Sequence, residues 1–192
     1  MKKIILASGS PRRKEILETV GASFEIKTSD IEEVVRNGES PETVVAALAF
    51  EKGFDISKDA EEGTLVISAD TIVFKDIILG KPKDEADAFS MLQSLKNDQH
   101  SVYTGICVIE AGTTNKIVEV VETKVFTKNY SDEKIKRYIE SGEVWGKAGA
   151  YAIQGLGATL IDHIEGDYLN VVGLPVSKLE SILQEYFGIE FL

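Results

Sequence analysis

Cysteine and long apolar runs are the two features that this chain of 192 residues most lacks. Its one cysteine, Cys107, cannot form a disulfide within the chain, which favours a reducing compartment. The opening, MKKIILASGSPRR, turns polar too soon for a signal peptide, and no apolar run approaches the length that spans a bilayer. We therefore expect a cytoplasmic protein without membrane contact. Cys107 lies in the apolar run VYTGICVIE, which indicates a small core residue rather than a nucleophile.

Positive charge is also scarce, because 21 lysines and arginines face 32 aspartates and glutamates, a formal net charge of −11. A protein that coats nucleic acid needs a basic face to neutralise phosphates, so no nucleic-acid partner is expected. The sequence also lacks the mixed aromatic and basic stripe that is typical of single-strand binders. An acidic surface does not exclude a small basic pocket, which would stand out against it.

Several familiar binding and catalytic motifs are missing as well. There is no GxxxxGK[ST] P-loop, and the GLG at 155–157 lacks the third glycine and the helix of a dinucleotide fingerprint. The two histidines, His100 and His163, have no spacing suited to a zinc site. His163 falls within a strand pattern and is expected simply to pack, and a Ser–His–Asp triad has no sequence anchor.

The stretch IILASGSPRRKEIL, residues 4–17, predicts a buried strand followed at once by a helix. Its apolar start is broken by small polar residues, after which Ser10 takes the N-cap position. Pro11 stands at the first helical position, where its missing N–H costs nothing. Gly21 is placed to end the helix.

Arg12 and Arg13 are unusual in the first turn of this helix. Two cations there oppose the helix dipole, at a few tenths to about 1 kcal/mol each. They make sense if a polyphosphate rests on the N–H groups of the same turn. The alternative is an ordinary capped helix with solvated arginines, and these residues alone leave both interpretations open.

Asp70 is the second unusual residue, because it lies in the apolar segment TLVISADTIVF, residues 64–74. A carboxylate in or at the end of a buried strand is costly unless it is paired or bound to metal. A turn aspartate would normally be followed by glycine or polar residues, whereas Thr71 and three apolar residues follow this one. We therefore favour a functional role over a structural aspartate that bonds loop amides.

The rest of the chain alternates helical and strand patterns. Helices are predicted after the caps Ser10, Ser40, Asp84 and Ser131, and a last one carries Val176 to Tyr186. Strands are predicted at 4–6, 23–27, 64–74, 102–110 and 116–127, with a second hairpin pairing 162–165 and 168–172 around Gly166-Asp167. This pattern predicts one mixed-sheet α/β domain, residues 1–192, in which the hairpin region forms a second lobe beside a cleft.

Five cationic residues fall at the ends of predicted elements or in loops: Arg12, Arg13, Lys52, Lys81 and Lys147. Glu33 and Asp70 could hold a hard cation, which usually takes one or two carboxylates plus substrate phosphates. Each lysine alone would pass for a solvated surface residue, so the inference rests on the combination. It points to metal-assisted chemistry on a phosphorylated small molecule.

Four motifs closely resemble the Maf family, whose members are nucleoside triphosphate pyrophosphatases first noted as inhibitors of septum formation. They are LASGSPRR (6–13), SADTIV (68–73), GKP (80–82) and KAGAYAIQG (147–155). The similarity runs on through GDY (166–168) and VGLP (172–175) and covers nearly the whole chain. Gly146 departs from the family's usual aspartate, and Ala152 from a common glycine. The resemblance implies a Maf/ITPase-like fold, a mixed sheet flanked by helices with two lobes around a central cleft, and a homodimer.

The resemblance also implies hydrolysis of a nucleoside triphosphate to the monophosphate and pyrophosphate, dependent on a divalent metal, Mg²⁺ or Mn²⁺. Asp70 matches the proton acceptor, and Glu33 joins it as an expected metal ligand. The specificity positions of the branch that acts on dTTP and UTP are matched by Arg12, Thr71 and Gln154. Other positions of the substrate pocket are matched by Ser10, Arg13, Glu33, Lys52 and Lys81. Lys52 and Lys81 are expected to neutralise charge at the bridging oxygen, and Arg12 and Arg13 to hold the β,γ-phosphates.

Two questions stay open at this point. The same pocket could belong to a nucleotide-binding regulator of cell division or septum formation with little turnover. The substrate could also be a modified rather than a standard pyrimidine nucleotide, which the motifs do not distinguish. Pyrophosphate release is the measurement that separates the enzyme from the regulator.

Overall fold

The computed structural model describes residues 2–34 and 38–191. Seven strands are found there: β1 (Ile4–Leu6), β2 (Glu25–Ile26), β3 (Leu65–Lys75), β4 (Ile77–Leu79), β5 (Gln99–Glu110), β6 (Lys116–Thr127) and β7 (Ile161–Glu165). The helices are α1 (Pro11–Thr19), α2 (Pro41–Ser57), α3 (Glu85–Leu95), α4 (Asp132–Glu140), α5 (Tyr168–Val172) and α6 (Val176–Phe187). Two 3₁₀ turns, Ala148–Ala150 and Gly155–Leu160, precede β7.

The strands form one mixed sheet. Their hydrogen-bonded order is β2-β1-β3-β5-β6-β7, and β4 pairs with β3 outside this path. β1 runs parallel to both β2 and β3, whereas the β3–β4 and β6–β7 pairs are antiparallel. The predicted mixed-sheet α/β fold is thereby confirmed.

The described residues divide into two compact units, each built from several stretches. Unit 1 lies within Met1–Asp70, Thr104–Val121 and Gly173–Leu192, and unit 2 within Thr71–Tyr103 and Glu122–Val172. Unit 1 contains α1, α2 and α6 with the parallel strands β1 and β2. Unit 2 contains α3, α4 and α5 with β4, β7 and both 3₁₀ turns. That residues 1–192 act as one domain with a central cleft stays a prediction.

Helix starts follow the predicted caps. The side chains of Ser40, Asp84 and Ser131 each accept the backbone N–H three residues ahead, at the first turns of α2, α3 and α4. Gly188, with φ of 64°, ends α6 in the left-handed conformation that a glycine adopts without strain. These ends are local, so the sequence alone predicts them.

The predicted second hairpin is wrong. Residues 161–165 form β7, which pairs with β6, but Tyr168–Val172 form the helix α5. The Asp167 carboxylate accepts the N–H groups of Leu169 and Asn170 at 2.7 and 3.2 Å, so Asp167 starts a helix rather than turning a hairpin. The Asn170 amide in turn donates to the Thr123 hydroxyl at 3.0 Å, a tertiary contact that no local pattern indicates.

Two side chains set aside in the sequence are structural, as predicted. Cys107 is fully buried, and burial raises the pKa of its thiol to about 12, so it does not form a thiolate at neutral pH. His163 lies on β7 and stacks on Phe126, with the ring centroids 4.2 Å apart. Within residues 2–34 and 38–191, no helix has the length and apolar character that crossing a bilayer needs.

Candidate functional site

Lys52 lies between two carboxylates of unit 1. Its ammonium nitrogen is 2.5 Å from Asp70 Oδ1 and 2.7 Å from Glu33 Oε1. The Lys52 and Asp70 side chains are only 14% and 11% exposed, whereas Glu33 is 48% exposed. Asp70 on β3 therefore has a charged partner at the edge of the solvent, as a carboxylate in a buried strand requires.

The pairing depends on how closely α2 packs on β3. A Cβ added at Gly53, the residue after Lys52, would lie 2.5 Å from Ser68 Oγ. The same hydroxyl donates to the Ala49 carbonyl at 2.6 Å and is fully buried. Ser68 stands two residues before Asp70 on the same strand. Its contact with Gly53 therefore fixes the position of Lys52 along β3, beside Asp70.

A second close contact holds α2 against β5. A Cβ added at Gly105 would lie 2.2 Å from the carbonyl oxygen of Val45, which is backbone and cannot rotate away. Glycine is therefore required at this position for the backbones of β5 and α2 to approach one another. With Gly53, this contact fixes α2 at two points along its length.

Arg13 is held by the protein and also belongs to the charged cluster. Its Nε donates to the Gly173 carbonyl at 2.8 Å and its Nη1 donates to the Ser8 hydroxyl at 3.1 Å. Burial lowers the pKa of the Arg13 guanidinium, and the charges of Asp70 and Glu33 act in the opposite direction. The guanidinium remains a cation at neutral pH. It places positive charge near the two carboxylates.

The first turn of α1 contributes no acidic side chain of its own. The helix begins at Pro11 as predicted, but the Ser10 hydroxyl makes no cap hydrogen bond, and the first turn holds no acidic residue. The Ser10 N–H donates instead to the Ser8 hydroxyl at 3.2 Å. Ser8 therefore serves both the loop and Arg13, a role that we did not assign from the sequence although it lies in the LASGSPRR motif.

Arg12 lies in the first turn of α1 in unit 1, and three further predicted site residues lie in unit 2. Thr71 is half-buried on β3, Lys81 is exposed between β4 and α3, and Gln154 is exposed at the start of the second 3₁₀ turn. The Gly149 N–H donates to the Gly80 carbonyl at 3.0 Å. The structure thus brings together the loops that carry the GKP and KAGAYAIQG motifs, which are far apart in the sequence.

The KAGAYAIQG loop needs small residues with unusual backbone angles. Gly149 has φ of 67°, and a Cβ there would lie 3.1 Å from the Val73 side chain. Ala150 follows with φ of 59°, a conformation that costs a non-glycine residue on the order of 1 kcal/mol. Gly146, where the family commonly has aspartate, also has a positive φ of 71°. Aspartate is one of the few residues that tolerate this region, so glycine and aspartate are both compatible with this backbone conformation.

The two carboxylates of the cluster can supply only some of the ligands that a metal ion needs. In the part of the chain that the structure describes, no group of three or more His, Cys, Asp or Glu side chains is arranged to hold a metal ion. Glu33 and Asp70 supply hard oxygen donors on either side of the Lys52 ammonium. This donor set fits a Mg²⁺ that completes its shell with water and substrate phosphates.

Comparison with known proteins agrees with this geometry. The family model described as Maf-like protein matches residues 3–186. The dTTP/UTP pyrophosphatase of Caldanaerobacter subterraneus subsp. tengcongensis is 50% identical over 191 residues, which cover 99% of this chain and 92% of that protein. The dTTP/UTP pyrophosphatase of Clostridioides difficile is 46% identical over 187 residues, 97% of this chain and 96% of that protein.

Among solved structures, a HAM1 protein from Coxiella burnetii covers 68% of this chain and 75% of its own, with 15% identity and a TM-score of 0.49. The family model extends over nearly all of this chain, and the sequence relatives match it almost end to end. Arg13, Lys52 and Asp70 all fall inside the matched range. The chain belongs to the Maf-like protein family.

Proposed function

We propose that this protein is a cytoplasmic pyrophosphatase that hydrolyses dTTP and UTP to the nucleoside monophosphate and pyrophosphate. The observation that carries the proposal is the Lys52 ammonium between Asp70 and Glu33, with the Arg13 guanidinium nearby. The names of relatives that share nearly half of its residues supply the substrate class. The proposed substrates include pyrimidine nucleoside triphosphates whose ring is modified but keeps the same hydrogen-bonding edge.

In the proposed reaction, water attacks the α-phosphorus, the bond to the bridging oxygen breaks, and pyrophosphate leaves. Asp70 orients the water and accepts its proton, which its position at the edge of the solvent permits. Lys52 holds the Asp70 carboxylate in place and offsets negative charge on the phosphates. Catalysis then consists mainly of positioning and charge neutralisation.

The cations divide between the two ends of the triphosphate. We assign Arg12, Arg13, Ser10 and the N–H groups of the first turn of α1 to the β,γ-phosphates, which form the leaving group. Because Arg13 is anchored on Gly173 and Ser8, it contributes a fixed charge at that end. Lys81 neutralises the bridging oxygen, and the pyrimidine ring is assigned to Thr71 and Gln154.

A bound Mg²⁺ or Mn²⁺ would be held by Glu33 and Asp70 and would supply Lewis-acid stabilisation of the phosphate charge. Both carboxylates already contact the Lys52 ammonium, which restrains their positions before the substrate arrives. The protein is proposed to work as a homodimer without nucleic-acid or membrane partners. No observation in the structure favours the regulator with little turnover.

The reaction is tested by running it in ¹⁸O-labelled water with UTP and Mg²⁺ and measuring the masses of both products by mass spectrometry. Attack at the α-phosphorus puts the label in UMP and leaves pyrophosphate unlabelled. Label in pyrophosphate, or release of inorganic phosphate, would contradict the proposed bond cleavage. Absence of any product with the folded protein would support the regulator instead.

A further inference from the structure

The second 3₁₀ turn, Gly155–Leu160, is capped by a side chain from outside it. The Glu143 carboxylate accepts the N–H of Leu156 through Oε1 at 3.0 Å and the N–H of Gly157 through Oε2 at 2.7 Å. Both oxygens of one carboxylate therefore bind two consecutive amides at the start of the turn. Charge-assisted bonds of this kind are stronger than neutral ones and fix orientation as well as distance.

The position that would ordinarily supply this cap is the one held by Gln154. It occupies the N-cap position of the turn, yet its side chain makes no cap hydrogen bond. An N-cap side chain usually turns back onto these same N–H groups. Because Glu143 binds them instead, the Gln154 amide is not needed to cap its own turn.

Gly155 lets the Glu143 carboxylate reach the turn. A Cβ added at Gly155 would lie 2.1 Å from Glu143 Oε1, and the residue has φ of 67°. A side chain would push the carboxylate away, and the positive φ would be strained for most other residues. The glycine after Gln154 and the glutamate 11 residues before it therefore serve the same contact.

Tyr138 on α4 holds the other side of the same loop. Its hydroxyl accepts the Ala152 N–H at 3.1 Å. A Cβ added at Gly157 would lie 2.6 Å from this hydroxyl and 2.1 Å from the Ala152 carbonyl oxygen. Residues on both sides of Gln154 are thus fixed to α4 and to the turn that follows it.

We propose that Glu143 is a positioning residue for pyrimidine selection, which it controls by fixing the backbone that carries Gln154. This inference rests on the proposed function. Uracil and thymine present an N3–H donor between two carbonyl acceptors, whereas cytosine presents an acceptor at N3 and an amino donor. A glutamine amide suits uracil in one orientation and cytosine in the other. A fixed backbone limits the orientations from which the amide can reach the ring, and so favours one base edge.

The first test compares kcat/KM for UTP with kcat/KM for CTP in Glu143→Ala and in Glu140→Ala. Glu140 is the matched control, an exposed carboxylate at the end of α4. We expect the UTP preference to fall about tenfold in Glu143→Ala, mainly through a higher KM for UTP, and to stay unchanged in the control. Equal losses for both nucleotides, or a loss confined to kcat, would overturn the proposal because general loosening of the fold would explain them.

The second test asks whether Glu143 acts through Gln154. If it does, Glu143→Ala combined with Gln154→Ala lowers the UTP preference no further than Gln154→Ala alone, because the two residues act as one unit. Losses that multiply in the double variant would show that the two residues act separately, and would overturn the proposal.

The third test is independent of catalysis. Hydrogen exchange of the Leu156 and Gly157 amides is measured by NMR in the full chain without nucleotide. We expect exchange at least about tenfold faster in Glu143→Ala than in wild type or Glu140→Ala, since each amide loses its acceptor. Unchanged exchange would overturn the positioning role even in an active enzyme. If the wild-type protein does not hydrolyse UTP, the proposed function fails, but amide exchange still reports on the role of Glu143. If Glu143→Ala does not fold, the measurement is made on Glu143→Gln, which keeps one acceptor oxygen.

Discussion

Lys52 is the residue on which the charged cluster depends. One ammonium contacts two carboxylates at 2.5 and 2.7 Å, so removing it would take from Asp70 and Glu33 the cation that they share. Asp70 is the more buried of the two carboxylates, so fewer water molecules can hydrogen-bond to it. We therefore propose Asp70 as the reactive carboxylate and Glu33 as the more adaptable metal ligand.

Asp70→Asn is expected to lower kcat for UTP by at least about 10²-fold, the usual loss for a general base. The amide keeps the shape and one oxygen acceptor but removes the charge that proton transfer or metal binding requires. Turnover is measured as pyrophosphate release at saturating UTP and Mg²⁺. Circular dichroism and the melting temperature of the same sample establish that the variant is folded. Near-normal turnover in a folded variant would remove Asp70 from the mechanism.

His100 is a histidine whose protonation is expected to oppose folding in mild acid. It is buried, its Nε2 shares a 2.7 Å hydrogen bond with the Tyr151 hydroxyl, and its Nδ1 has no hydrogen-bond partner among the described residues. Burial, aided by the Lys75 charge, lowers the pKa of His100 to about 4. The protonated imidazole would carry a buried N–H at Nδ1 without an acceptor, which also disfavours the charged form and lowers the pKa.

Stability is therefore expected to fall as the pH is lowered from about 6.5 to about 5. In that window the unfolded chain takes up a proton at His100 and the folded chain does not, so protons favour unfolding. The loss is at most about 2 kcal/mol over these 1.5 pH units, from about 1.4 kcal/mol per unit. Urea unfolding at several pH values measures it. His100→Gln should flatten the dependence, while His163→Gln serves as the matched control; an unchanged slope in His100→Gln would contradict the assignment.

At the scale of elements, the position of α2 sets the site. Its two close contacts, Gly53 on Ser68 and Gly105 on the Val45 carbonyl, leave no room for a methyl group at either glycine. α2 must therefore keep its height and distance relative to β3, and Lys52 keeps its place beside Asp70. A helix held only by large apolar side chains could shift by several tenths of an ångström more easily.

Gly53→Ala is expected to reduce both stability and activity, although alanine is the better helix former by about 1 kcal/mol. The methyl group would meet Ser68 Oγ, and overpacking of this kind costs about 1–3 kcal/mol. The displaced helix carries Lys52 away from Asp70, so kcat falls as well. Urea unfolding and pyrophosphate release measure the two effects.

Ser68→Ala in the Gly53→Ala background is the matched test of this explanation, because it removes the hydroxyl that the new methyl group would meet. The double variant should recover part of the lost kcat despite losing the hydrogen bond to Ala49. Normal stability and activity in Gly53→Ala alone would show that α2 is not constrained at this point.

The sequence predicts elements well where their signals are local. Ser40, Asp84 and Ser131 precede helices in the sequence, and each side chain makes the expected cap in the structure. The error at 168–172 arose where a local signal had two interpretations. Gly166-Asp167 suits a hairpin turn, but Asp167 caps α5, and the contact of Asn170 with Thr123 fixes that helix through a residue 47 positions away.

At the scale of the whole molecule, the charged cluster contrasts with an acidic chain. The net charge is −11, yet Arg13, Lys52 and the first turn of α1 bring positive charge to one part of unit 1. An acidic surface weakens nonspecific attraction of polyanions, while a local cation cluster still binds a small one. This distribution suits a nucleotide substrate rather than a nucleic acid.

The sequence identifies Asp70 as a costly carboxylate, but it does not show what compensates for it. The charge pattern and the resemblance to the Maf family single out Lys52 and Glu33, and the structure shows that the Lys52 ammonium contacts both Glu33 and Asp70. The Arg13 bond to Gly173 spans 160 positions, so no pattern of neighbouring residues could reveal it. Contacts of this kind depend on tertiary packing, which is why the anchoring of the site became visible only in the fold.

The central claim, that this protein is a pyrimidine-selective triphosphate pyrophosphatase, is tested most directly by one substrate panel. Pyrophosphate release by the wild-type protein is measured with dTTP, UTP, CTP, ATP and GTP at equal concentrations with Mg²⁺, singly and in competition. The account predicts that kcat/KM for dTTP and UTP exceeds that for the other three by about tenfold or more, because a site built for the N3–H edge leaves polar groups unpaired with other bases. A preference for a purine triphosphate would contradict the substrate assignment, and no pyrophosphate release from any of the five would contradict the claim as a whole.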